Sequence, residues 1–173
     1  MKTANSITLI GMPGSGKTTI GQKIAQKLQY KFIDTDDYIV EKENMELQQI
    51  INKEGIDAFC EIEEKRVLEL LPLKKYVIAP GGSIIYSKKV MDILKKNSIL
   101  IFLDVPLNIL KARLHNMETR GIVGLHSKSL KTLYKERIPL YRKYADCVVP
   151  CENKSPNTII TEILARLDRI RSK

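Results

Sequence analysis

Short apolar, β-branched runs alternate with longer stretches of helical spacing along nearly the whole chain. The runs at 6–10, 31–33, 76–79, 99–103 and 147–149 are brief and rich in Ile, Val and Phe, so they read as strands. Apolar positions recur every three or four residues over 18–28, 38–51, 58–71, 88–96, 107–114, 129–144 and 157–170, which predicts helices there. Strand followed by helix, repeated, implies right-handed crossovers and a parallel sheet covered on both faces. The expected architecture is a three-layer α/β/α fold around a five-stranded parallel sheet, with ligands at the carboxyl ends of the strands. Two segments break the alternation. Residues 117–128 hold Gly121 and Gly124 among polar clusters and suit a lid, while 150–156 is a polar loop. With no repeat or linker, residues 1–173 read as one domain, the lid at about 117–128 included.

The junction between the first strand and the first helix carries the chemistry. Gly11-Met12-Pro13-Gly14-Ser15-Gly16-Lys17-Thr18 matches G-x-x-x-x-G-K-[ST], and its flanks are the strand and helix that this motif requires. Glycines let the backbone N–H groups of Gly14, Ser15 and Gly16 converge on phosphate oxygens, and the helix N-terminus adds partial positive charge. Lys17 is expected to reach the β- and γ-phosphates of ATP, Thr18 to ligate Mg2+ through its hydroxyl, and Thr19 to reach another phosphate oxygen. These features place the fold among P-loop NTPases. The second strand runs into Asp34-Thr35-Asp36, at the sheet edge where the phosphates would lie. In an extended stretch, residues two apart face the same way, so Asp34 is a candidate for holding magnesium through water and Asp36 for orienting or deprotonating an acceptor hydroxyl. The competing reading of Asp36 is a helix N-cap. Asp104, closing the fourth strand, mimics a second magnesium acid but reads better as a cap before Pro106.

Taken in order, the phosphate loop, Asp34 and Asp36, the segment 59–64, Gly81-Gly82, Arg120 and Arg137-Ile138-Pro139-Leu140-Tyr141 resemble the shikimate kinases over essentially the whole chain. The resemblance implies a kinase that uses Mg-ATP to phosphorylate the 3-hydroxyl of shikimate. It implies that Asp36 binds the acceptor hydroxyls, that Gly81 and Gly82 line the acceptor pocket, that Arg137 pairs with the acceptor carboxylate, and that Arg120 bridges to phosphate from the lid. Arg113 and Lys154 would flank the adenine. Lys17, Asp36 and Arg120 are thus the candidate catalytic residues. The pattern is broken on the acceptor side. Where these kinases carry F-R-x-x-E this chain has Phe59-Cys60-Glu61-Ile62-Glu63, where they carry three glycines it has Pro80-Gly81-Gly82-Ser83, and their lid sequence R-P-L-L is Arg120-Gly121-Ile122-Val123. The missing arginine would share the acceptor carboxylate with Arg137, so another small hydroxylated metabolite is the rival acceptor.

Composition narrows the partners. The net charge of +9 is spread through the predicted helices without an aromatic-interleaved patch, so nucleic acid is not expected as a partner. No apolar run approaches the roughly 18 residues of a membrane span, and the first residues, Met1-Lys2-Thr3-Ala4-Asn5, lack a signal-peptide core. A cytoplasmic monomer is the expectation. Cys60, Cys147 and Cys151 are odd in number and lack zinc spacing with His115 or His126, so free thiols are expected.

Overall fold

The computed structural model describes residues 6–114, 121–125 and 128–172. Five strands form one sheet: β1 (Ser6–Ile10), β2 (Lys31–Asp34), β3 (Tyr76–Ala79), β4 (Ser98–Asp104) and β5 (Cys147–Pro150). Their spatial order is β2-β3-β1-β4-β5 and every pairing is parallel. β1 is central and wholly buried, as a strand flanked by two others and covered on both faces must be. Within that apolar centre the hydroxyls of Thr8 on β1 and Ser98 on β4, diagonal in the register, hydrogen-bond at 2.7 Å.

Among the described residues eight α-helices surround the sheet: α1 (Lys17–Leu28), α2 (Thr35–Glu43), α3 (Leu47–Glu54), α4 (Ile56–Leu70), α5 (Lys88–Asn97), α6 (Leu107–Arg113), α7 (Leu130–Tyr144) and α8 (Pro156–Arg171). Several begin on side-chain caps. Ser87, Ser129 and Ser155 accept hydrogen bonds from Val90, Thr132 and Thr158 N–H at the starts of α5, α7 and α8, and Pro156 opens α8 where no N–H is needed.

The helix expected over 38–51 is two helices. Asn44 takes a left-handed φ of 53° and ends α2, and Glu46 with Gln49 forms a capping box that starts α3. A glutamate in the cap position hid this boundary. Two further expectations are corrected nearby. Asp36 does not extend the strand: β2 ends at Asp34, whose carboxylate caps α2 by accepting the Asp36 N–H at 3.1 Å, so Asp36 lies in the first helical turn. Asp104 caps nothing, because Pro106 takes the cap position of α6 and Asp104 pairs with Arg142 at 2.8 Å.

The main core lies on both faces of the sheet. A second, smaller apolar cluster of Ile39, Ile50, Ile51, Phe59 and Val123 joins α2, α3 and α4 to residues 121–125. That cluster forms a separate body of structure at the carboxyl end of β2 and β3, next to the phosphate loop.

Candidate active site

The loop 11–16 leaves β1 and turns into α1 with Gly14 at φ 77° and Gly16 at φ 92°, values that side-chain-bearing residues rarely adopt. The N-cap of α1 is Gly16, which offers no side chain, so the first-turn N–H groups are left for a ligand. Ser15 Oγ is fully buried, and it is the one buried side-chain polar atom without a hydrogen-bond partner among the described residues. A buried hydroxyl without a partner costs about 1–3 kcal/mol, and a phosphate oxygen would satisfy it. Lys17 Nζ meanwhile rests on the carbonyls of Gly11 and Met12, at 3.1 and 3.2 Å. Burial lowers its pKa below the ordinary lysine value, against the opposing pull of Asp36 and Asp34.

Thr18 and Asp34, the expected magnesium pair, are brought together from α1 and β2. Thr18 Oγ1 donates to Asp34 Oδ2 at 2.6 Å. A hydroxyl and a carboxylate beside a phosphate cradle are oxygen donors of the kind that hard, octahedral Mg2+ takes. The chain therefore fits both halves of Mg-ATP.

A cavity of about 350 Å³ begins at this loop, lined on the donor side by Gly14, Lys17, Thr18, Thr19 and Arg113. Arg113 donates to the Gly14 carbonyl at 3.2 Å. Lys154 is not part of this lining: its ammonium pairs with Glu162 at 2.6 Å, although its field reaches the buried Cys151 thiol together with that of Arg113.

At the other end of the cavity stand Asp36, Phe59, Glu63, Gly81, Gly82, Ser83 and Arg137. The glycine turn is pinned from two sides. Its Gly81 N–H donates to the buried Thr35 hydroxyl at 3.3 Å, and Tyr141, stacked on Phe102, donates to the Gly82 carbonyl at 2.7 Å. A methyl group on Gly81 would come within 2.3 Å of Glu63 Oε1 and 2.6 Å of Asp36 Oδ1, and one on Gly82 within 3.2 Å of Arg137 Nη1. Two carboxylates and one guanidinium thus close on consecutive glycines, a close approach that any side chain there would block.

Arg137 is 1% exposed. Its Nε donates to Tyr86 Oη at 3.2 Å, its Nη2 to the Val123 carbonyl at 2.8 Å, and its guanidinium lies over the Tyr86 ring. Glu63 is 2% exposed and accepts from Ser83 Oγ at 2.7 Å. Burial and then the neighbouring Asp36 push the Glu63 carboxyl up to about 8. The Asp36 carboxyl is pushed up to about 6 by burial and by Asp34, with Lys17 pulling the other way.

Cys60 does not line this cavity. It faces a larger neighbouring one of about 630 Å³ between α4 and the turn 83–87, and Glu63 and Ser83 form the wall shared by the two. Burial and Glu63 push its thiol up to about 11, and all three cysteines are free. Of the lid, Gly121 donates to Gln48 at 3.2 Å and Ile122 and Val123 are buried over the acceptor end, whereas Arg120 lies outside the described residues. Ser83, Tyr86 and Tyr141 went unnoticed as site residues in the sequence. The four-residue spacing of Arg137 and Tyr141 was the available signal, since it stacks both on one face of α7.

A parallel sheet in this strand order, a phosphate loop on its central strand and a cavity that runs from that loop to a second, charged end define a small P-loop kinase. The shikimate kinase family model matches residues 13–168. The chain is 35% identical to the shikimate kinase of Sulfurihydrogenibium sp. over 164 residues, covering 95% of this chain and 98% of that one. It superposes on the shikimate kinase of Acinetobacter baumannii in complex with shikimate with a TM-score of 0.90 at 29% identity, covering 99% and 97% of the two chains. It is also 39% identical over 167 residues to human threonine synthase-like 1, a match that takes in 95% of this chain and 22% of that protein. The chain belongs to the shikimate kinase family, and with it to the kinases that use ATP and Mg2+. Among the described residues no helix is long and apolar enough to cross a membrane.

Proposed function

We propose that this kinase transfers the γ-phosphoryl group of ATP to the 3-hydroxyl of shikimate, in the cytoplasm and as a monomer. The observation that carries the reading is the cavity that joins Lys17 and Thr18 at one end to Asp36 and Arg137 at the other. On this reading, Gly14, Ser15, Gly16, Thr18 and Thr19 hold the phosphates, and Thr18 and Asp34 hold Mg2+. Mg2+ supplies charge neutralisation between the phosphates when bound. Arg113 and Lys154 lie toward the adenine. Arg137 takes the acceptor carboxylate with Nη1, which lies beside Gly82, and Asp36 takes the hydroxyl.

Asp36 accepts the hydroxyl proton as the oxygen attacks the γ-phosphorus and the bond to the departing ADP breaks. A carboxylate whose pKa is raised toward 6 is a better base than an ordinary aspartate and is still ionised at neutral pH. Lys17 leaves the carbonyls of Gly11 and Met12 to follow the transferring group, and Arg120 is assigned to the same charge from the lid. Gly121, Ile122 and Val123 line the pocket and help to exclude water during transfer. Shikimate-dependent ADP formation by the purified chain, followed in a coupled assay, tests the proposal; ATP binding without it would refute the acceptor assignment.

Two observations favour a second acceptor. Cys60 stands where the family pattern has an arginine, and the match to a segment of a threonine synthase-like protein is no weaker in identity than those to shikimate kinases. A different small hydroxylated metabolite is the alternative.

A further inference from the structure

The acceptor end of the cavity is unbalanced in charge. Asp34, Asp36 and Glu63 face Lys17 and Arg137 across it, yet among the described residues no Lys or Arg forms an ion pair with any of the three acids. Lys17 Nζ rests on two carbonyls and Arg137 binds Tyr86 and the Val123 carbonyl through two of its nitrogens, so both act on these acids through space and not by direct contact. Glu63 is the sharpest case, because it is 2% exposed and, among the described residues, only one of its oxygens is bonded, to Ser83. The other, Oε1, lies within 4.9 Å of Asp36 Oδ1, the sum of their distances from the Cβ position of Gly81. A carboxylate oxygen that opens onto a cavity and accepts from no described donor is available to a ligand, and the ligand that completes it best is a cation.

We infer that the acceptor pocket also takes a small hydroxylated α-amino acid, with its ammonium on Glu63, its carboxylate on Arg137 and its hydroxyl on Asp36. The inference rests on the assignment of Asp36 and Arg137 to the acceptor given above and adds the third contact. The spacing suits it. Glu63 meets the turn at Gly81 and Arg137 meets it at Gly82, so opposite charges are presented along one peptide step, and an α-amino acid carries its own two charges on a single carbon. A ring acid with hydroxyls alone would leave Glu63 Oε1 without a cation. With arginine at position 60 the glutamate would have a partner of its own; with Cys60 the neighbouring cavity of about 630 Å³ holds no cation that pairs with it. The reaction balances as for any alcohol acceptor: the hydroxyl oxygen bonds to the γ-phosphorus, the bond to the β-phosphate oxygen breaks, ADP leaves and the hydroxyl proton passes to Asp36.

The purified full chain with Mg-ATP is to be assayed for ADP formation against L-homoserine, L-serine, L-threonine, shikimate and 4-hydroxybutyrate, the last being L-homoserine without its amine. At least one amino acid is expected to be phosphorylated, and for L-homoserine kcat/KM should exceed that of 4-hydroxybutyrate by tenfold or more. Glu63→Gln should lower kcat/KM for the amino acid at least tenfold more than for shikimate. Cys60→Arg, which gives Glu63 an internal partner, should move the preference the same way, and it serves if the first variant does not fold. Calorimetry on the protein without nucleotide should show amino-acid binding that Glu63→Gln abolishes. Turnover of shikimate with none of the amino acids, or an equal loss on both acceptors in the variants, overturns the inference and leaves the shikimate reading standing. Turnover of an amino acid that is indifferent to Glu63→Gln overturns the assigned contact. No turnover of any acceptor by a chain that binds ATP overturns both.

Discussion

Glu63→Gln isolates the electrostatic cost of the acceptor pocket. In the unfolded chain this glutamate titrates near its ordinary value of 4.5, whereas in the folded protein it keeps its proton up to about 8. Between those limits the folded state binds more protons than the unfolded one, so stability falls as pH rises through the window. It is fully retained below pH 4.5. At about 1.4 kcal/mol per pH unit, the loss across the window reaches roughly 5 kcal/mol, a large part of the 5–15 kcal/mol that holds an ordinary domain together. Glutamine has the same shape, can still accept from Ser83, and has no proton to lose. Urea unfolding of both proteins at pH 5, 7 and 9 should therefore show little difference at pH 5 and a growing advantage for the variant, of about 3–5 kcal/mol, by pH 9. Asp36, raised to about 6, adds a loss of the same sign and Lys17, lowered by burial, adds one of opposite sign. Both are present in the two proteins, so the difference between them reports Glu63. Parallel pH profiles would refute the reasoning, and would mean that Glu63 is ionised throughout.

Four further outcomes are expected. Lys17→Ala should lower turnover by about two orders of magnitude or more in a coupled ADP assay, because Lys17 is the cation within the phosphate loop motif, bonded to the Gly11 and Met12 carbonyls. Asp36→Asn should keep ATP affinity by calorimetry and lose about 10²–10⁴ in kcat, since the amide preserves shape but takes no proton. Gly81→Ala should cripple turnover without unfolding the sheet, because the new methyl group would sit 2.3 Å from Glu63 Oε1 and push the acceptor carboxylates apart; wild-type kinetics would place the turn outside the pocket. Cys60→Arg, acting on the acceptor end through Glu63, should lower the shikimate KM by roughly tenfold, which is about 1.4 kcal/mol.

The donor half of the site was legible because it is local. Eight consecutive residues between one strand and one helix specify the cradle, and the backbone conformation at Gly14 and Gly16 follows from the residue type. The strands were legible for a similar reason, since a central parallel strand is an apolar run whatever lies around it. Local pattern failed where a polar residue set the geometry. Asn44 and the Glu46 capping box divide a helix whose apolar spacing runs on undisturbed, and Asp34 takes the cap that places Asp36 on a helix. The acceptor half is assembled from α2, α4, the turn after β3, residues 121–125 and α7. Arg137 could be named from a resemblance, but its partners Tyr86 and Val123 lie 51 and 14 residues away and no spacing announces them.

The two halves differ in what a family likeness can settle. Phosphoryl transfer needs the cradle, the lysine and the magnesium ligands, and these are contiguous or nearly so in this chain. Choice of acceptor is a difference between binding energies, and one buried charge is enough to reverse it. Losing one charge-assisted partner costs an acid acceptor about 1.5–3 kcal/mol, one to two orders of magnitude in affinity. The same loss leaves Glu63 uncompensated in a pocket where burial already forces its proton on, and a ligand ammonium would relieve that while drawing the proton off. A single substitution at position 60 therefore acts twice, against one class of acceptor and in favour of another. It does so without touching the phosphate loop, since Cys60 lies in a separate cavity and reaches the site only through Glu63 and Ser83. Reaction and substrate are thus carried by different parts of the fold, and they can change independently.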